Sequence, residues 1–216
     1  MPASLPPSAP PSAASVIDRP LVPGLLPRLG ATLLSLAGWK VVLAQPVPKR
    51  CVAIFYPHTS NWDTVIGLCA KFMFGIRFRF VGKDTLFRTP VIGPLLIHWG
   101  GMPVNRREPA GFIPQMQREF ARNEEFRLAI APEGTRSFRP HWKSGFYRIA
   151  RAAGVPLALV YIDYPGREIG IGGYLDLTGD VAADMARIRA FYAGRRGYRP
   201  ENQGPVALHD ESAAMG

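Results

Sequence analysis

A histidine followed a few positions later by an aspartate can take a proton from a hydroxyl group near neutral pH, provided the chain brings the two together. His58 and Asp63 stand in that relation within Pro57-His58-Thr59-Ser60-Asn61-Trp62-Asp63. The imidazole would act as base. A carboxylate that accepts the other ring N–H fixes the tautomer and stabilises the imidazolium. In an unbroken helix, residues five apart lie roughly 140° round the axis and cannot meet. The pair therefore needs a strand ending before His58, a turn at residues 59–61, and a helix beginning near Asp63, with Ser60 as its N-cap. The same residues also have a purely structural reading. Ser60-x-x-Asp63 is a capping-box signal, in which Asp63 would serve backbone donors and His58 would be an ordinary loop residue.

Two further segments have types suited to anions. Pro132-Glu133-Gly134-Thr135-Arg136-Ser137 follows an apolar run of strand character. A glycine-containing turn at a strand end can expose backbone N–H groups, and Arg136 adds a planar fork for phosphate. The plainer alternative is a polar loop in which Glu133 and Arg136 pair. Gly100-Gly101-Met102-Pro103-Val104-Asn105-Arg106-Arg107 ends an apolar run with arginine, as the mouth of a cleft would, although strand ends often carry Arg in any case. Lys83 is one more cation in the candidate substrate-binding set. Other chemistries fit poorly. There is no Gly-x-Ser-x-Gly elbow, no P-loop around Gly82-Lys83, no Gly-x-Gly-x-x-Gly, and no metal-ligand spacing among His58, His98, His141 and His209.

Elements that could position these residues alternate in type. Strand-like runs are expected at residues 51–56, 78–81, up to 104, 126–131 and 155–164. Helical patterns are expected from about Asp63 to Phe74, within 90–104, over 109–125, over 144–153, and from Asp180 to about Tyr192. Phe112, Met116 and Phe120 mark a core-packed helix, not a cofactor box. The alternation predicts a single α/β domain with a mixed, largely parallel central sheet covered by helices on both faces.

Before it, residues 1–20 are rich in Pro and Ser and predict a disordered tail without the basic n-region of a secretory signal. Residues 21–45 contain Leu26, Leu29, Leu33 and Leu36 on one helical stripe, with Arg28, Thr32 and Ser35 off it. This segment is too short to span a bilayer. It could lie in the interface, with Trp39 and Lys40 at headgroup level, or pack on the domain. The domain itself is assigned to residues 46–194, and 195–216 to a poorly ordered C-terminal tail.

Charge is concentrated. The chain of 216 residues carries a net charge of +10, and between Lys71 and Arg151 there are 15 basic and 6 acidic side chains, +9 in that stretch alone. Such a patch attracts phosphate, in anionic lipid, a phosphorylated substrate or nucleic acid, unless it is simply a solvated face. Aromatics interleave with arginine in Phe78-Arg79-Phe80, but no nucleic-acid motif appears. Cys51 and Cys69, the two cysteines, offer no disulfide framework or zinc spacing.

Order and spacing of these motifs together resemble the glycerolipid acyltransferase family, typified by 1-acylglycerol-3-phosphate acyltransferases. That family has a His-x4-Asp box, here His58 to Asp63, then a Gly-rich segment ending in Arg, here Gly101 to Arg106. A Pro-Glu-Gly-Thr-Arg-Ser box follows, here Pro132 to Ser137, and then an apolar segment containing Pro, here Val155-Pro156-Leu157. Lys143 and Gly145 resemble a Lys-x-Gly between the last two. The resemblance covers roughly residues 50–165. Departures are Pro57 before the His, Asn105 before the Arg, and Ala131 before the third box; they remove no catalytic group but leave the acceptor's identity open.

The resemblance implies a membrane-associated enzyme of phospholipid biosynthesis, peripheral on the cytoplasmic face. It would move an acyl group from acyl-CoA or acyl-carrier protein to a hydroxyl of a lysophospholipid-type acceptor, with no metal or cofactor. His58 and Asp63 would be catalytic. Arg106 and Arg136 would bind the acceptor's phosphate, with Glu133, Gly134, Thr135 and Lys83 completing the substrate-binding set. Two alternatives stay open: a lysolipid acceptor without phosphate, and a non-catalytic binder of anionic lipid or nucleic acid. A binder has no reason to hold His58 against Asp63.

Overall fold

The computed structural model describes residues 14–104 and 111–209. Its strands are β1 (Ala14–Val16), β2 (Lys40–Ala44), β3 (Arg50–Tyr56), β4 (Phe78–Lys83), β5 (Gly101–Val104), β6 (Phe126–Ile130), β7 (Leu157–Asp163) and β8 (Glu168–Leu175). Its helices are α1 (Leu25–Leu36), α2 (Asn61–Phe74), α3 (Asp84–Phe87), α4 (Ile92–His98), α5 (Phe112–Arg122), α6 (Gly145–Ala153) and α7 (Val181–Tyr192). The strands form one sheet in the order β1-β2-β8-β7-β3-β6-β4-β5. From β7 to β5 all neighbours are parallel, while β8 runs antiparallel to β7 and β2 parallel to β8. The expected α/β domain with a mixed, largely parallel sheet is therefore what the chain forms.

Strand β3 lies at the centre and is buried on both faces, as parallel strands flanked by helices are. Its residues alternate between two cores. Val52, Ile54 and Tyr56 join Met116 and Phe120 of α5, Phe146 and Ile149 of α6, and Met185 and Ile188 of α7. Cys51 and Ala53 join Cys69, Met73 and Phe74 of α2 and Leu34 of α1. This arrangement follows from right-handed crossovers between parallel strands. β3-α2-β4 and β4-α3-α4-β5 move in one direction along the sheet and share a face. β5-α5-β6 and β6-α6-β7 move the other way and share the opposite face.

Three strands, β1, β2 and β8, lie outside the expected set. β2 is a short apolar run at the end of the leucine-rich segment. β8 contains Gly170, Gly172 and Gly173, which depress strand propensity. Gly170 is nonetheless required there, because a Cβ would come within 1.9 Å of the Val42 carbonyl oxygen of β2. The ends of the chain also need correction. Residues 14–16, assigned to a disordered tail, pair with β2; the rest of that assignment before residue 14 lies outside the described residues. The segment after Gly194 is no loose tail up to residue 209. It makes a 3-10 turn at Pro200–Asn202, and Leu208 bridges to Trp142.

Helix α1 packs on α2 through its small side, not through its leucine stripe. Gly30 and Leu34 are its buried residues, whereas Leu25 and Leu36 are each 82% exposed and Leu26, Leu29 and Leu33 are exposed as well. Among the described residues no helix is long and apolar enough to cross a membrane. A Cβ on Gly30 would lie 2.8 Å from the Cys69 carbonyl oxygen. Gly30→Leu is therefore expected to lift α1 from α2, at a cost of about 1–3 kcal/mol. Urea unfolding should measure that loss, and hydrogen exchange should locate it in residues 25–36.

Candidate active site

The candidate residues gather at the carboxyl edge of the parallel strands, where open α/β sheets bind ligands. The turn carrying His58 follows β3, the Glu133 loop follows β6, Lys83 ends β4, and Tyr164 follows β7.

The turn after β3 bends as the His–Asp pair requires. Ser60 is the N-cap of α2, its hydroxyl accepting from the Trp62 N–H at 3.2 Å. Asp63 completes the capping box: its Oδ2 accepts from the backbone N–H of Thr59 at 2.7 Å and of Ser60 at 2.8 Å. The same Oδ2 lies 3.3 Å from His58 Nδ1. The structural and chemical readings of this motif are thus one arrangement. The cap tightens the turn, and the tightened turn carries the imidazole to the carboxylate. Among the described residues His58 Nδ1 meets no other hydrogen-bonding partner. With a carboxylate at Nδ1, the ring proton belongs there and Nε2 is the basic nitrogen.

Asp63 has no exposed surface. Burial pushes its pKa up, but His58, the Tyr164 hydroxyl and the Ser60 N–H outweigh that and hold it below the usual carboxylate range. Tyr164 donates to the other carboxylate oxygen, Oδ1, at 2.7 Å. Its ring is wedged between Trp39, at 5.0 Å, and Tyr198, at 5.2 Å. Sequence reasoning missed Tyr164. The available signal was its position as the last residue of the β-rich run over 155–164.

Glu133 is only 3% exposed. Its Oε2 accepts from the His58 backbone N–H at 2.7 Å, and the Gly204 N–H also bonds to the carboxylate. From beneath the site it joins the His58 turn to the C-terminal segment. That segment reaches the turn again where the Arg199 N–H donates to Thr59 Oγ1 at 3.1 Å, and reaches the end of β3 where Tyr56 donates to the Gly204 carbonyl at 2.8 Å. Burial, aided by the negative charge of Asp63 and opposed by the two N–H donors, pushes the Glu133 pKa up to about 8.

The remaining candidates surround this pair. Gly134 has φ 67°, and a Cβ there would press on the Lys143 side chain, 3.0 Å from its Cε. Thr135 Oγ1 accepts from the Ser137 N–H at 3.3 Å, holding the loop turned. Arg136 Nη2 donates to Thr64 Oγ1 at 3.2 Å, so its guanidinium stands beside the first turn of α2. Lys83 is exposed at the end of β4, apart from His58 and Asp63 but on the same sheet edge. Arg106 lies outside the described residues.

Between α2 and the sheet runs a cavity of about 180 Å³. His58, Asp63 and Thr64 stand in its wall, and the rest is mainly apolar, including Leu68, Phe74, Phe78, Phe80 and Ile169. Room for it comes from small residues facing the sheet, Gly67 and Ala70 of α2 and Ala129 and Gly170 of the strands. The side chain of His58 is 16% exposed and touches Phe55 edge-on at 5.7 Å between ring centroids. An oriented base thus stands in the wall of an apolar cavity, where it can deprotonate a hydroxyl held beside an aliphatic chain.

Comparison with known proteins gives the family and the fold. A family model described as Acyltransferase matches residues 40–163, more than half of the chain. The 1-acyl-sn-glycerol-3-phosphate acyltransferase BAT2, chloroplastic, of Brassica napus is 26% identical over 120 residues, covering 53% of this chain and 35% of that protein. The chain thus spans about a third of the length of that curated relative, at 35%. The crystal structure of the 1-acyl-sn-glycerophosphate (LPA) acyltransferase PlsC from Thermotoga maritima is similar in fold, with a TM-score of 0.52, 15% sequence identity and 80% of each chain covered.

The state of Glu133 makes stability depend on pH. Its folded pKa is raised from the ordinary 4.5 to about 8, so its proton is held more tightly in the folded than in the unfolded chain. The contribution is full below the unfolded value and is lost as pH rises through the folded one. Glu133→Gln, a neutral mimic of the protonated acid, should flatten the decline in urea midpoint between about pH 5 and 8. An unaltered decline in the variant would assign that pH dependence to other groups.

Proposed function

The chain belongs to the Acyltransferase family and is an acyltransferase; we propose that it moves an acyl group from a thioester to the hydroxyl of a lysophospholipid-type acceptor, with 1-acylglycerol-3-phosphate the favoured one. The observation that carries this reading is His58 Nδ1 held 3.3 Å from Asp63 Oδ2 in the wall of an apolar cavity. A lipid- or nucleic-acid-binding protein would gain nothing from that contact.

In the proposed reaction the cavity takes the aliphatic chain and presents the reacting group to His58. Nε2 takes the hydroxyl proton as the oxygen attacks the thioester carbonyl. The tetrahedral intermediate collapses, the C–S bond breaks, and the thiolate leaves with the proton returned by His58. Asp63 keeps the imidazole oriented and balances its charge. Tyr164 and Glu133 are positioning residues, one bonded to the carboxylate and the other to the His58 backbone. Acyl-CoA and acyl-carrier protein are both chemically suitable donors, and nothing in the chemistry needs a metal. Arg136, with Arg106 and Lys83, supplies the cations for an acceptor phosphate. The outward leucines of α1 would lie in the membrane interface, making the enzyme peripheral on the cytoplasmic leaflet.

The decisive assay gives the purified protein acyl-CoA or acyl-carrier protein with a panel of lysolipids, with and without phosphate. His58→Ala should lower turnover by roughly 10²–10⁴-fold, while circular dichroism verifies the fold. Full activity in that folded variant would exclude His58 as base. Tyr164→Phe should cost roughly tenfold, about the worth of one hydrogen bond to a charged group. The loss should fall in kcat more than in KM, because Tyr164 acts through Asp63 and not on substrate. Arg136→Lys should raise the KM for phosphate-bearing acceptors, since a point charge replaces a planar fork. Equal KM values across the panel in wild type and variant would point to the phosphate-free acceptor.

A further inference from the structure

The two faces of the sheet are dressed differently. Outward positions of α5, α6 and α7 carry Gln115, Arg118, Arg122, Arg148, Arg151 and Arg187, and no large apolar side chain is exposed there among the described residues. The opposite layer exposes large apolar side chains on every helix: leucines on α1, Trp62 and Val65 on α2, Leu86 on α3, and Ile92, Leu95 and Ile97 on α4. Its members are in register with one another: Gly30 of α1 meets Cys69 of α2, and Trp99, just after α4, meets Phe72 of α2 at 5.3 Å.

Within that layer the α3–α4 corner is built to project. Phe87 is clamped beneath it. Cβ atoms on Gly82 and Gly101 would come within 2.9 Å and 2.6 Å of its ring, so these two glycines seat the side chain, and one on Gly93 would lie 2.2 Å from its carbonyl oxygen. Above that seat the chain makes a tight turn at Val91, with φ 67° and ψ −54°, closed by the Ile92 N–H donating to the Pro90 carbonyl at 2.7 Å. This is the γ-turn of positive φ, rare and strained, and especially so for a β-branched residue. The strain holds Val91 79% exposed, flanked by exposed Leu86, Ile92 and Leu95. Folding gains nothing from an apolar side chain held in water by a strained backbone, so the arrangement calls for a partner.

We infer that the α3–α4 corner is a second membrane-insertion point, in which Leu86, Val91, Ile92 and Leu95 enter the acyl boundary of an anionic bilayer alongside the leucine face of α1. A bilayer fits better than a protein partner on three counts. The apolar surface extends over several helices of one layer. Cations stand at its edge, Arg28 on α1 and Lys83 and Arg88 at the corner, the last in an exposed ion pair with Asp84 that can exchange for lipid phosphate. The apolar cavity lies beneath this same layer, between α2 and the sheet. The choice of a lipid partner rests on the proposed reaction; the projection of the corner does not.

Site-specific fluorescence tests it on the full chain. Cys51 and Cys69 are both buried, so Val91→Cys can be labelled selectively with an environment-sensitive dye. Vesicles of phosphatidylglycerol and phosphatidylcholine should shift its emission to the blue and raise its intensity several-fold. The same dye at Ala186→Cys, on the outward side of α7, should not respond. Val91→Asp with Ile92→Asp should reduce vesicle partitioning by roughly tenfold or more. The inference is overturned if vesicles sediment the protein without a response at position 91, if both labels respond alike, or if the protein does not bind vesicles at all. A blue shift that grows with protein concentration in plain buffer would assign the corner to self-association and overturn it equally. Acyl transfer measured on the same samples separates the two proposals. Insertion without transfer supports the corner and counts against the reaction, whereas transfer without insertion does the reverse.

Discussion

Everything at the candidate site depends on the placement of one buried carboxylate. A fully buried ionised Asp is costly, by several kcal/mol, unless donors surround it. Asp63 meets donors on both oxygens: the N–H groups of Thr59 and Ser60 and the Nδ1 edge of His58 at Oδ2, and the Tyr164 hydroxyl at Oδ1. Each donor is local to the turn except Tyr164, which arrives from the end of β7. The fold of the turn and the orientation of the base are therefore not separate achievements. The capping interaction that starts α2 also brings the imidazole to the carboxylate, and the parallel pairing of β3 with β7 brings the phenol.

The second anchor works from below. Glu133 holds the His58 backbone to the loop after β6 and to Gly204, so the position of the base depends on a segment at the far end of the sequence. Close approach there is tight. A Cβ at Gly204 would lie 1.9 Å from the Arg139 carbonyl oxygen, and one at Gly197 would lie 2.5 Å from Thr59 Oγ1. Glycines at these two points let the C-terminal segment run flush against the site. Tyr56 then ties the end of β3 to the same segment, with Gln203 donating to its hydroxyl at 3.0 Å.

How far this was legible in the sequence follows from the range of the interactions involved. The His58–Asp63 box, the N-cap of α2, the core stripe of α5 and the Asp180 cap of α7 are local signals, and each stands where the residues indicate. The Asp180 side chain accepts from the Ala183 N–H at 3.0 Å, as a cap should. Tyr164, Gly204 and β8 were not legible, because their value comes from partners more than about a hundred residues away or from an approach that only glycine permits. Composition misled at the C-terminus. An Arg- and Gly-rich stretch looks loose, yet its glycines serve close packing and its polar backbone is bonded to the site. The leucine stripe of α1 was visible, but not its direction. Only the contact of Gly30 with Cys69 decides that the leucines face outward.

Two carboxylates touching His58, one at its ring and one at its backbone, would, if both were ionised, repel each other in apolar surroundings. The site resolves this by treating them differently. Asp63 has a positive partner available and three hydrogen bonds beyond it, so its pKa falls. Glu133 faces burial and the charge of Asp63 with only two backbone donors in support, so its pKa rises to about 8. Environments that push a pair apart in this way divide their roles. The raised pKa favours the protonated form of Glu133, which acts as a bracket, while the lowered one keeps the negative charge on Asp63. One carboxylate charge then faces one imidazolium when the base takes its proton, and the proposed reaction proceeds beside an apolar cavity without a net charge left unbalanced. Low polarity around the pair strengthens that balance. The apolar lining that suits an aliphatic chain therefore also makes the Asp63 charge effective.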